Sequence, residues 1–122
     1  MFKKICLLSF TCLLFAGCTA HTPQSAPEQK YHFVDESAHQ CTKDIRDKSA
    51  KLSAEGHSMS VRWTAVPYVT SAQEGASTST QTRSVEYATS SILDNGVPGS
   101  AWKSCMQSKG ALVPELSLSA VQ

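Results

Sequence analysis

Apolar residues are unevenly spread along the 122-residue chain, and their spacing marks out the elements it is expected to form. Residues 5–15 are an apolar run broken only by Ser9 and Thr11. Residues 19–30 are polar and interrupted by Pro23 and Pro27, the composition of a flexible linker. After a short apolar patch from Tyr31 to Val34, the pattern turns helical over residues 35–55. Ala38, Cys41, Ile45 and Leu52 recur at three-to-four-residue steps, with Lys48 and Ser49 weakening the fourth turn. Ser37 and Gln40 have capping-box spacing, and Gly56 supplies a stop. Asp44 with Lys48, and Asp47 with Lys51, are four apart and read as pairs on an exposed face.

Residues 59–65 alternate apolar and polar with period two, and Val61, Trp63 and Thr64 favour extended backbone, which predicts a strand ending near Pro67. Half of residues 71–84 are Ser or Thr, and with Gly75 and Ala76 among them the stretch reads as a mobile loop. Beyond it Val85, Ala88 and Ile92 have helical spacing up to Asn95-Gly96, although Val85 and Tyr87 also alternate as in a strand. A short helix is expected from Ser100, a potential cap, with Trp102, Cys105, Met106 and Lys109 on one side and Gly110 closing it. The tail around Leu116 and Leu118 alternates weakly, as an edge strand or a loose end. The expected fold class is a small, mainly helical α+β domain with one short strand region and a mobile Ser/Thr-rich loop.

The amino-terminal pattern bears on location. Lys3 and Lys4 precede an apolar run of export-signal length, too short to remain as a membrane-crossing helix. Leu14-Phe15-Ala16-Gly17-Cys18 resembles the lipobox of bacterial lipoproteins, with Phe15 where that family usually has Leu. The resemblance implies removal of residues 1–17 and lipidation of Cys18. The acyl chains would anchor the protein in a bilayer, three chains exceeding the two that suffice for stable anchoring. An ordinary cleaved signal ending near Ala16 is the competing reading. Thr19 follows the cysteine, where Asp would imply retention in the inner membrane, so the expected location is the periplasmic face of the outer membrane. The expected division is a signal at 1–17, a lipidated tether at 18–30 and a single disulfide-bonded periplasmic domain at 31–122.

From Cys18 onward nine Lys and Arg face ten Asp and Glu, a formal charge of −1 that implies no nucleic-acid surface. The 105 residues that remain suffice for one small domain. With Cys6 and Cys12 in the signal and Cys18 lipidated, Cys41 and Cys105 remain as a pair in an oxidising space, where a structural disulfide is favoured. A redox or metal pair is the alternative, but neither cysteine lies in Cys-x-x-Cys and no His/Cys cluster has ligand spacing.

Ser100-Ala-Trp-Lys-Ser-Cys-Met-Gln-Ser-Lys-Gly110 resembles a recurring ending of small bacterial lipoproteins, in which an aromatic residue, Cys-Met and Lys-Gly close the domain. Here Ala111 stands where an aromatic is usual. With an upstream cysteine near the start of the first helix, the resemblance implies two terminal helices tied by a Cys41–Cys105 disulfide. It carries no activity with it.

No catalytic constellation is legible. His21, His32, His39 and His57 are scattered, Gly96-Val-Pro-Gly99 is a turn signal, and there is no phosphate loop or nucleophile elbow. The chain is therefore expected not to be an enzyme and to need no cofactor or metal. Its first expected role is structural: a lipid-anchored envelope protein, held to the bilayer through Cys18 and docking on an envelope protein partner. The second is a small binding module for a soluble ligand or the cell wall, with Trp63, Tyr68 and the Ser/Thr-rich loop as its contact surface.

Overall fold

The structure, a computed structural model, describes residues 25–121, without the side chain of residue 74. The export signal, Cys18 and the first part of the expected tether lie outside the described residues. Two helices, a long antiparallel hairpin and a short 3₁₀ turn follow in the order α1 (Ala26–Ala54), β1 (Val61–Glu74), β2 (Ser77–Ser90), α2 (Ser100–Ser108) and the turn Leu118–Val121.

Helix α1 begins inside the stretch expected to be tether and takes in the Tyr31–Val34 patch. Pro27 sits in its first turn, where a missing N–H costs nothing, and Glu28 places a negative charge near the positive end of the helix dipole. Ser37 is therefore a buried mid-helix residue and not a cap. The apolar stripe Val34, Ala38, Cys41 and Ile45 is buried and continues through the small Ser49. The helix ends as expected, at Gly56 with φ +94°. On its outer face Asp47 pairs with Lys43, one turn before it, at 2.6 Å and with Arg46, and not with the expected Lys51 one turn after it.

The main correction lies in the middle of the chain. The Ser/Thr-rich stretch is not a loop, and residues 83–90 are not helical. Both belong to a hairpin of two 14-residue strands, paired in unbroken register from Val61↔Ser90 to Glu74↔Ser77. Gly75 and Ala76 make the two-residue turn, with positive φ (+62°) at the glycine alone, which fits a type II′ turn. Val85 and Ala88 are both buried because both faces of β2 are covered, and this double coverage produced the helix-like spacing. On one face Val66, Tyr68, Val85 and Tyr87 meet Trp102 and Met106 of α2 in a common core. Against the other face Ser49 of α1 bonds Ser90 at 2.8 Å, and His39 bonds Glu86 at 2.9 Å.

The disulfide is present between Cys41 and Cys105, with Cα atoms 5.7 Å apart. It does not tie the terminal helices of a helical fold. Cys41 lies mid-way along α1, and the chain runs on past α2 to add a bridge between Leu116 and Tyr68 on the outer edge of β1. The fold is thus a long helix, a two-stranded sheet and a short helix, with the tail as a minimal third strand. Ala111 is fully buried, filling the place where the resemblance anticipated an aromatic residue.

Candidate functional site

The hairpin is longer than the core it serves. Its proximal half supplies the buried residues Val66, Tyr68, Val85, Tyr87, Ala88 and Ser90, whereas every described side chain from 71 to 82 is exposed. At about 3.3 Å per residue, the six steps from Arg83 to Ser77 carry the strand roughly 20 Å beyond the packed body. This projecting arm buries none of its described side chains.

Its hydrogen-bonding edges follow from the turn. A two-residue turn closes on a hydrogen-bonded pair, Glu74↔Ser77, so Ala72↔Ser79 and Thr70↔Gln81 also bond within the hairpin. The alternating pairs, Gln73↔Thr78, Ser71↔Thr80 and Val69↔Thr82, turn their main-chain groups outward. The tail obeys the same parity. Val69 N–H donates to the Glu115 carbonyl at 2.9 Å, and Ser117 N–H donates to the Pro67 carbonyl at 2.9 Å. Pro67 is tolerated because its absent N–H would have pointed outward. Among the described residues, the outward main-chain groups of Thr78, Thr80 and Thr82 have no main-chain partner. Ser84, next in line, has its carbonyl taken by the Tyr31 hydroxyl at 3.2 Å.

The base of the arm is clamped. Arg83 donates to both carboxylate oxygens of Glu28 at 2.6 Å and lies 4.4 Å from the Tyr31 ring centroid, and Tyr31 in turn tilts against Tyr68 at 5.2 Å. Lys30 pairs with Glu115 on the other side. Hydrogen bonding from Arg83 holds the Glu28 carboxyl below the ordinary carboxylate range, and Lys30 does the same to Glu115. Burial raises the Tyr68 phenol, whose hydroxyl finds no partner among the described residues. A hollow of about 220 Å³ lies between this cluster and the arm, lined in part by Ser25, Glu28, Tyr31, Ser79 and Arg83. The first turn of α1 and the arm therefore occupy the same end of the domain.

The expected contact surface does not assemble. Trp63 is 52% exposed and stacks with Arg46 at 5.9 Å, whereas Tyr68 is 1% exposed and points to the opposite face of the sheet. Five positions apart on a strand, they cannot share a side. Cys18 lies outside the described residues. Among those residues no three His, Cys, Asp or Glu come together as a metal site, and no helix is long and apolar enough to cross a membrane. Sequence reading missed Glu28, Arg83 and the Thr edge. The signal that could have found the edge is the alternation of β-branched Thr78, Thr80 and Thr82 with Ser79 and Gln81, following a glycine able to turn.

A second polar cluster is structural. Buried Asp94 accepts main-chain N–H bonds from Ser90 and Gly99, both at 2.8 Å, and from Ala101 at 3.1 Å. It thereby caps α2, while the Ser100 hydroxyl, expected as the cap, donates instead to the Asp94 carbonyl at 2.7 Å. Both carboxylate oxygens are thus engaged by main-chain donors, which accounts for a buried acid here as a structural hub.

No protein-family model, no curated protein and no solved structure matches the chain.

Proposed function

We propose that this is a lipid-anchored cell-envelope protein that docks on its partner through the hairpin arm. The single observation that carries the docking role is the arm itself. Twelve positions, 71–82, extend a sheet past its core, and one edge presents unpaired main-chain groups with neither charge nor proline to block it. Proteins commonly blunt such edges, because an open strand is a template for another chain. An arm left open in this way suits strand addition, in which main-chain hydrogen bonds supply the affinity.

The sequence supports the anchor, through residues 3–18, and the fold is compatible with it. Seven residues join Cys18 to Ser25, a reach of at most about 25 Å, so a lipidated chain would hold the arm's end of the domain near the headgroups. Docking would then occur at or just above the membrane surface.

A photocrosslinking residue at Thr80, incorporated in intact cells, is expected to give a discrete heavier adduct. The same probe at Ser58, away from the arm, should give none. Adducts of equal yield from both positions, or from neither, would remove the docking reading. For the anchor, Cys18→Ser should leave an unlipidated precursor, and unchanged mass and membrane fractionation would contradict lipidation.

A further inference from the structure

We infer that the partner of the arm is a second copy of this chain, joined β2 edge to β2 edge, antiparallel, about a two-fold axis passing through Thr80. The inference rests on the docking reading and names its occupant.

The register leaves one workable window. Outward groups on β2 belong to Thr78, Thr80 and Thr82, and beyond them the Ser84 carbonyl is occupied by Tyr31. Antiparallel pairing sets outward residues opposite outward residues. With Thr80 facing its own counterpart, Thr78 faces Thr82 of the other copy, and all three positions exchange hydrogen bonds. That gives about six main-chain bonds, two for each hydrogen-bonded pair. The three threonine side chains stand on one face of the strand, so the joined edges would carry a continuous threonine ladder, a favourable cross-strand arrangement.

Charge and specificity both favour a second copy over a foreign strand. Residues 75–82 carry no charge, so identical edges meet without repulsion. Strand addition to a foreign protein draws selectivity from side-chain pockets. Small, uncharged Ser, Thr and Gln side chains offer nothing to select one strand over another. Here selection comes from symmetry and local concentration. So short an edge falls well short of the roughly 800 Å² per partner of a stable standard interface, which makes the dimer weak in solution. Copies confined to one membrane meet at a much higher effective concentration, which compensates without any new contact.

The parity of the hairpin supplies the test. Thr80 does not use its N–H within the hairpin, so Thr80→Pro, present in both copies, removes both central bonds of the proposed interface and keeps the internal ladder. Ser71→Pro does the same to the β1 edge and serves as control. The full chain, extracted from membranes and carrying Ser58→Cys for donor or acceptor dyes, is reconstituted in phosphatidylethanolamine–phosphatidylglycerol vesicles, and Förster transfer between copies is read. Transfer should exceed random mixing, fall to the random level with Thr80→Pro and persist with Ser71→Pro, with thermal unfolding unchanged in both. Transfer unaffected by Thr80→Pro, or never above random, overturns self-pairing. If a Thr80 photocrosslink in cells then captures a different protein, docking survives and only the identity of the occupant fails. If it captures nothing, both readings fail.

Discussion

Arg83 and Glu28, 55 positions apart in sequence, meet through two parallel 2.6 Å hydrogen bonds that fasten the root of the arm to the first turn of α1. Bidentate guanidinium–carboxylate pairs are the geometrically specific class of ion pair. This one also fixes Tyr31, and through it Tyr68, so the arm leaves the body in a defined direction.

The pair should make stability depend on acid pH. The folded-state pKa of Glu28 is lowered by Arg83, and that of Glu115 by Lys30. A carboxyl group lowered in this way contributes stability that is complete above its ordinary, unfolded value and is lost as the pH falls through the folded one. The melting temperature should be level from pH 8 to 6 and decline below about pH 4.5. Arg83→Gln should lower the plateau and flatten the decline. An identical acid profile in the variant would show that the pair contributes nothing to it.

Opening the disulfide should be costly. Cys41 and Cys105 are 64 positions apart, and closing a loop of that length removes about 4 kcal/mol of unfolded-state freedom in the chain-entropy account. Replacing both with Ala should destabilise by about 2–4 kcal/mol in urea titration. A loss below about 1 kcal/mol would mean that the α1–α2 packing holds without the bond.

The Asp94 carboxylate organises residues 90–101 by accepting from three main-chain N–H groups. Asp94→Ala strands three N–H groups and should cost about 2–4 kcal/mol, since bonds to charged acceptors are worth roughly 1.5–3 each and are partly replaced by water. Asp94→Asn keeps one oxygen, which can still serve Ser90 and Gly99, but turns an amide group toward the Ala101 N–H. Its loss should be about half as large. Equal losses in chemical denaturation would contradict this division of roles.

Gly99 stands where no side chain fits. Its φ is +80°, and a Cβ built there would lie 1.7 Å from the Tyr87 hydroxyl oxygen. Gly99→Ala should therefore destabilise by about 2 kcal/mol or more, combining clash with left-handed strain. Adding Tyr87→Phe removes the oxygen and should recover part of the loss, but not the part due to φ or to the ring carbon Cζ, which would still lie 2.6 Å from the new Cβ. Full recovery would assign the whole effect to the contact.

What could be read in advance was whatever left an amphipathic trace. The α1 stripe from Ala38 to Ile45, the end at Gly56, the α2 face of Trp102 and Met106 and the surviving cysteine pair all follow from spacing or arithmetic. The hairpin was obscured for two opposite reasons. Its distal half buries nothing, so Ser71 to Thr82 carry no hydrophobic alternation and resemble a loop. Its proximal half is covered on both faces, so Val85, Tyr87 and Ala88 blur the period of two into something like a helix. The start of α1 was hidden by Pro27, a helix breaker everywhere except the first turn, where it sits.

If the arm exists for contact and not for folding, the domain should tolerate its removal. Thr70↔Gln81 is the same hydrogen-bonded kind of pair as Glu74↔Ser77, so joining Thr70 to Gln81 through Asn-Gly closes a two-residue hairpin with every core residue on its proper face. The excised positions, 71–80, bury no described side chain, while Tyr68, Arg83 and the clamp to Glu28 are retained. The shortened protein should unfold within about 1 kcal/mol of the parent in urea, with a smaller amide count and an unchanged near-ultraviolet spectrum from Trp102 and Tyr87. A loss of about 3 kcal/mol or more would mean that the distal strands stabilise the body, and the arm would then need no partner to account for it.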